Sequence, residues 1–141
     1  MKKTSAMLLL SAGLILGSLS SCKKYEDGPA VSLLSKKTRI SGEWTLESYM
    51  LNEVDKTADY LTAVGANYML EIEKDGSYKV AGIFADNGTW VFGEDKDDVY
   101  FHSGKSGVPE QAFRITRLAN KELWMKQTQS NGDVYKFKYK Q

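Results

Sequence analysis

The sequence predicts an all-β domain, an eight-stranded antiparallel up-and-down barrel, with a β-sandwich as the runner-up. Three observations lead there. From Gly42 onward, apolar and polar residues alternate in eight short runs, the period of half-buried strands. Turn chemistry separates the runs, most plainly at Asp75-Gly76, Asn87-Gly88 and Asn131-Gly132. Helical spacing is nearly absent. Eight consecutive antiparallel strands leave two open edges unless the last meets the first, so closure is the economical arrangement.

The chain begins differently from the way it continues. Lys2 and Lys3, an apolar run from Ala6 to Leu19, and the small residues Ser20 and Ser21 have the build of a secretory signal. The run is short for a bilayer span, which needs about 20 apolar residues. Leu19-Ser20-Ser21-Cys22 resembles the lipobox of bacterial lipoproteins. That resemblance implies a diacylglyceryl group on the Cys22 sulfur, cleavage before Cys22 and acylation of the new amino group with palmitate-like chains. At about 0.8 kcal/mol per buried CH₂, such chains hold a protein to a membrane durably. Cys22 is the only cysteine, so no disulfide within one chain and no cysteine-based metal site is expected.

Residues 1–21 are therefore read as signal peptide, 22–40 as lipidated N-terminus and flexible tether, and 41–141 as the barrel. Cleavage would remove Lys2 and Lys3, so the 19 basic side chains become 17 against 18 acidic ones, a net charge of −1. A near-neutral domain of this kind does not suggest nucleic-acid binding, which usually shows a strongly basic face. Lys23 after the cysteine favours the outer membrane, and Glu26-Asp27 partly resembles a surface-export signal. The membrane face stays open.

Within the tether, Ser32 to Ile40 allows a short helix or 3₁₀ turn. The first strand is Gly42 to Leu51, with Trp44, Leu46 and Met50 on one face together with Ser48. Asn52 to Asn67 breaks the alternation. Thr57 is a candidate N-cap there, Ala58, Leu61 and Val64 have helical spacing, and Gly65 is a stop, which predicts one short helix in a long first loop. The second strand runs from Asn67 to Lys74. The third is Ser77 to Phe84, with Tyr78, Val80 and Phe84 on one face, and Ala85 to Gly88 reads as a turn. Further strands follow at Thr89 to Phe92, Val99 to His102, Gln111 to Leu118, Glu122 to Thr128 and Val134 to Lys140.

Gly42-Glu43-Trp44 resembles the Gly-x-Trp of lipocalins, and the connection 52–67 stands where a lipocalin has its lid loop. Tyr25 to Ala30, Ser35-Lys36-Lys37, Gly88-Thr89-Trp90, Ile115 to Leu118 and Lys121 to Trp124 extend the likeness to the lipocalin-like lipoproteins of Bacteroidetes-type bacteria. The resemblance implies that Trp44 packs across a closed barrel end, with Arg114 or Arg117 as the arginine that would cover it. A lumen lined by Trp44, Leu46, Tyr68, Leu70, Tyr78, Val80, Trp90, Phe113, Tyr135 and Phe137 is expected, with Ile115, Leu123, Met125 and Tyr139 on the same inward set. An eight-stranded barrel of this size is either filled by such side chains or leaves room for one small ligand.

Other chemistry finds little support. Ser103-Gly104-Lys105-Ser106 lacks the upstream glycine and the following helix of a phosphate loop. His102, the only histidine, has no matched nucleophile, so catalysis is not expected. Glu94 to Asp98 lacks the spacing of a calcium loop, and no metal or cofactor is expected. Lys136, Lys138 and Lys140 alternate with Tyr135, Phe137 and Tyr139, placing amines outside and rings inside. The expected partners are a membrane through Cys22 and a small apolar or amphipathic ligand. In the alternative, the barrel is packed solid and docks an envelope protein through loops 52–67 and 103–110.

Overall fold

The computed structural model describes residues 34–141. Cys22, the signal-like segment and most of the tether lie outside the described residues. A short helix, α1 (Lys36–Ile40), precedes β1 (Gly42–Leu51), the two-residue β2 (Val54–Asp55) and a second helix, α2 (Thr57–Val64). The meander then runs through β3 (Met69–Ile72), β4 (Ser77–Ala81), β5 (Asp86–Phe92), β6 (Asp98–Ser103), β7 (Gln111–Leu118), β8 (Glu122–Thr128) and β9 (Val134–Lys140). Each of β3 to β9 pairs antiparallel with its sequence neighbour. β1 pairs with both β3 and β9, which closes the sheet. The result is an eight-stranded antiparallel barrel of lipocalin-like form with β2 as an extra strand at its rim, as the alternation predicted.

β1 is shared between two partners. Gly42 to Thr45 face β3, while Thr45 to Leu51 face β9, with a register shift between Leu46 and Ser48. A bulge adds one residue and reverses the inward parity. Trp44 and Leu46 point inward before it, and Tyr49 packs on the core after it. The expectation that Ser48 and Met50 share the Trp44 face is thereby corrected: Met50 lines a groove on the outer wall. A second shift in β7, between Ile115 and Arg117, moves the inward position from Ile115 to Leu118 and buries Thr116.

One end of the barrel is sealed. The Ser35 hydroxyl accepts the Thr38 N–H at 3.1 Å and so caps α1. Lys36 fastens that helix to the β5–β6 loop through the Lys96 carbonyl at 2.8 Å and the Asp97 carboxylate at 3.1 Å. Arg39, although charged, is buried, and donates to the backbone carbonyls of Leu34 and Leu118. Ile40 is fully buried, and its carbonyl accepts the Trp44 indole N–H at 2.8 Å. Trp90 closes the same end by donating to the Glu73 carbonyl at 2.8 Å. Trp44 thus lies across a closed end, as the lipocalin resemblance implies. Neither Arg114 nor Arg117 covers it: Arg114 pairs with Asp97 and Asp98, and Arg117 lies over Trp124 on the outer wall.

Three further expectations are corrected by backbone geometry. β4 stops at Ala81 because Gly82 takes a φ of 125°, so Ile83 and Phe84 turn outward and are 66% and 69% exposed. β5 starts at Asp86, inside the segment read as a turn. Thr57 is the first residue of α2 rather than its cap, and its hydroxyl donates to Asp55 while accepting the Tyr49 N–H. The stop at Gly65 holds, with a φ of 101° that favours glycine.

Because Ile40 fills space beneath Trp44, Ile40→Ala is expected to lower stability by about 2–5 kcal/mol. A urea midpoint shift with unchanged slope would measure this. A loss below about 0.5 kcal/mol, the usual range for surface positions, would mean that α1 is not part of the folded unit.

Candidate functional site

The end opposite α1 carries the 52–68 connection and the loops 82–85, 104–110 and 129–133. Rings divide the lumen there. Tyr60 of α2 stacks on Tyr49 with centroids 4.3 Å apart, and meets Tyr68 and Phe137 edge-on at 5.6 and 5.8 Å. Tyr135 stacks on Tyr49 at 6.1 Å. This cluster fills the β1–β9 side of the mouth. On the other side a cavity of about 140 Å³ remains, lined by Tyr68, Leu70, Tyr78, Val80, Phe101, Phe113, Met125 and Tyr139, with Asp86 and Gln111 as its other polar members.

The ten residues expected to line the lumen therefore separate into three groups. Tyr68, Leu70, Tyr78, Val80 and Phe113 line the cavity. Trp44, Leu46 and Trp90 are packed core. Tyr135 and Phe137 belong to the ring cluster beneath α2. Sequence reasoning left out Asp86, Gln111 and Phe101. Phe101 was recoverable, since it alternates with Val99 on β6. Asp86 was hidden by its Ala-Asp-Asn-Gly context, which reads as a turn.

The polar groups of the cavity are held in place. The Asp86 carboxylate accepts the Tyr78 hydroxyl at 2.7 Å and the Ser103 hydroxyl at 2.8 Å, tying β4, β5 and β6 together. Desolvation acts to raise its pKa. The hydrogen bonds from Tyr78, Ser103 and the Asn87 N–H, with the charge of Lys105, outweigh that and leave it below the usual carboxylate value. Tyr68 and Tyr139 hydroxyls lie 3.1 Å apart. Burial pushes the Tyr139 and Tyr60 phenols well up, with Tyr68 adding to it in both cases. Burial, then the hydrogen bond to Asp86, does the same for Tyr78. Burial, then Tyr135, raises Tyr49.

Outside the lumen, a groove of about 250 Å³ on the outer wall runs between Met50, Trp124, Lys136 and Lys138. Lys138 sits 4.1 Å over the Trp124 ring, Arg117 is 5.2 Å from it, and the indole N–H is buried with no hydrogen bond among the described residues. Lys136 answers Glu53 across this groove. His102 lies on the outer face of β6, half exposed, with Nδ1 3.1 Å from the Glu110 carboxylate. Lys105 donates to the Ala85 carbonyl, so the Gly-Lys-Ser loop is folded back on β5. Among the described residues, no three His, Cys, Asp or Glu side chains come together where they could hold a metal ion.

The fold defines a lipocalin-like barrel domain with a ring-lined cavity at its open end. No protein-family model and no curated protein matches the chain at significant similarity.

The four raised phenols make the fold sensitive to alkali. A group whose folded pKa is raised stabilises the fold fully below its unfolded value, about 10 for tyrosine, and loses that contribution as pH climbs past it. Of the eight tyrosines, Tyr60 and Tyr139 are expected to ionise only with cooperative unfolding, seen as a late, steep step in phenolate absorbance, and Tyr49 and Tyr78 to titrate above the ordinary value. Smooth titration of all eight near the ordinary value would contradict this arrangement.

Proposed function

We propose that this protein is an outer-membrane lipoprotein, anchored through Cys22, whose barrel binds a small apolar or amphipathic molecule in its lumen. The observation that carries the reading is the cavity of about 140 Å³ left between inward rings at the open end of an otherwise filled barrel. Many ligand sites span roughly 300–1,000 Å³, whereas an apolar cavity of about 150 Å³ accepts benzene. The lumen therefore suits one ring or a short alkyl branch, with the rest of a larger ligand outside the mouth. The position of α1 is compatible with the anchor, because residue 34 stands at the sealed end, away from the mouth.

A second reading is favoured by Ile83 and Phe84, two bulky apolar residues exposed on the rim. In that version the open end docks an envelope protein and the cavity is incidental.

Saturable displacement of a fluorescent apolar probe by small aromatic compounds would test lumen binding. Val80→Phe, which adds a ring at the cavity wall, is expected to weaken binding by about tenfold or more, equivalent to ~1.4 kcal/mol, while the melting temperature holds. Unchanged affinity in that variant would place the binding elsewhere. For the anchor, Cys22→Ala is expected to accumulate unprocessed precursor and to abolish incorporation of labelled fatty acid. Normal processing and labelling would refute the lipoprotein assignment.

A further inference from the structure

Asp86 is the only acidic or basic side chain among those that line the cavity. Its two oxygens are oriented by neutral donors, Tyr78 from β4 and Ser103 from β6, which fix the carboxylate without cancelling its charge. With the Asn87 N–H as a third donor, the carboxylate's roughly four acceptor positions leave room for about one more. Lys105, the cation that acts on Asp86 through space, gives its hydrogen bond to the Ala85 carbonyl. Among the described residues no lysine or arginine forms an ion pair with Asp86. The carboxylate is held in its charged form by hydrogen bonds and by Lys105 acting through space, and with no cation of the described residues in contact with it, its charge is left to attract a cationic group that enters the cavity.

The surrounding walls favour the same kind of group. Tyr78 meets Phe101 edge-on at 5.1 Å and Phe101 meets Phe113 at 5.9 Å, while Tyr68 closes the side under α2. Aromatic faces beside a carboxylate attract an organic ammonium by two independent effects, Coulomb attraction and the ring quadrupole. The same carboxylate repels an anionic head, which disfavours fatty acids as lumen ligands. The cavity volume admits a single ring.

We propose that the lumen selects small organic cations, an aromatic or short aliphatic body carrying an ammonium group, with the body in the ring-lined cavity and the ammonium on the Asp86 carboxylate. The inference rests on the lumen being the binding site and narrows the ligand class within it.

Benzylamine, benzyl alcohol and benzoate share one ring and differ in charge, so calorimetric titration of each into the full-length chain separates the effects. Benzylamine is expected to bind about tenfold more tightly than benzyl alcohol, the size of one good charge-assisted contact, with benzoate weakest. Asp86→Asn is expected to erase the preference for benzylamine over benzyl alcohol, and Val80→Phe to weaken all three. If the alcohol and the amine bind wild-type protein equally, charge selection is overturned while lumen binding stands. If neither they nor an apolar probe bind, the lumen reading falls as well. The wild-type comparison decides the matter even where Asp86→Asn fails to fold, the result expected if Asp86 served only to join its strands.

Discussion

The seam between β1 and β9 turns a meander into a barrel, and the rest of the structure depends on it. It runs from Thr45 opposite Lys140 to Leu51 opposite Tyr135. Without it both strands would be open edges with unpaired backbone groups, and the inner rings would face water. β1 must also serve β3 with its first half, so it has to bend between two partners. The bulge after Leu46 supplies the bend. It also reverses the parity of the strand, which brings Tyr49 onto the core beneath Tyr60 and leaves Met50 on the outer wall.

Sealing the other end follows a different rule. The indoles of Trp44 and Trp90 are large enough to close an eight-stranded barrel, but each brings an N–H that is costly to leave bare in a dry interior. Both donate to backbone carbonyls at chain reversals, Ile40 at the end of α1 and Glu73 before the β3–β4 turn. α1 is therefore more than a link to the tether. It presents a carbonyl to Trp44, places Ile40 in the core and buries Arg39 against the Leu118 carbonyl of β7. With that end closed by polar satisfaction as well as packing, the remaining space collects at the opposite end.

Much of the architecture was legible because alternation is a strong signal where one strand face is dry. Gly42–Leu51, Gln111–Leu118, Glu122–Thr128 and Val134–Lys140 stand where the pattern placed them. What escaped was set by single backbone positions. β2 forms because Asn52 and Glu53 both take positive φ, 49° and 66°, a two-residue hairpin without the usual glycine. The Asn52 side chain makes this tolerable by bonding Asp133 and the Val134 N–H, residues more than 80 positions away, and no local pattern reveals that contact. Phe84 looked like an inward residue by period 2, but Gly82 ends the strand first. The cavity was half legible: its rings follow from alternation, whereas Asp86 enters only because β5 begins three residues earlier than its turn-like sequence suggests.

The lumen also has a polarity that follows from electrostatics. Among the inner rings, the Tyr68 and Tyr139 hydroxyls are paired with each other, since an ionised group there would lose its hydration without recompense. Asp86 keeps its charge because it stands at the rim, where solvent reaches it and two hydroxyls hold it. The cavity thus grades from apolar floor to anionic lip. A guest that fits it must be apolar at its inner end and must tolerate or complement negative charge at its outer end. α2 with its ring cluster occupies the neighbouring part of the mouth, and among the described residues Trp44 and Trp90 close the opposite end.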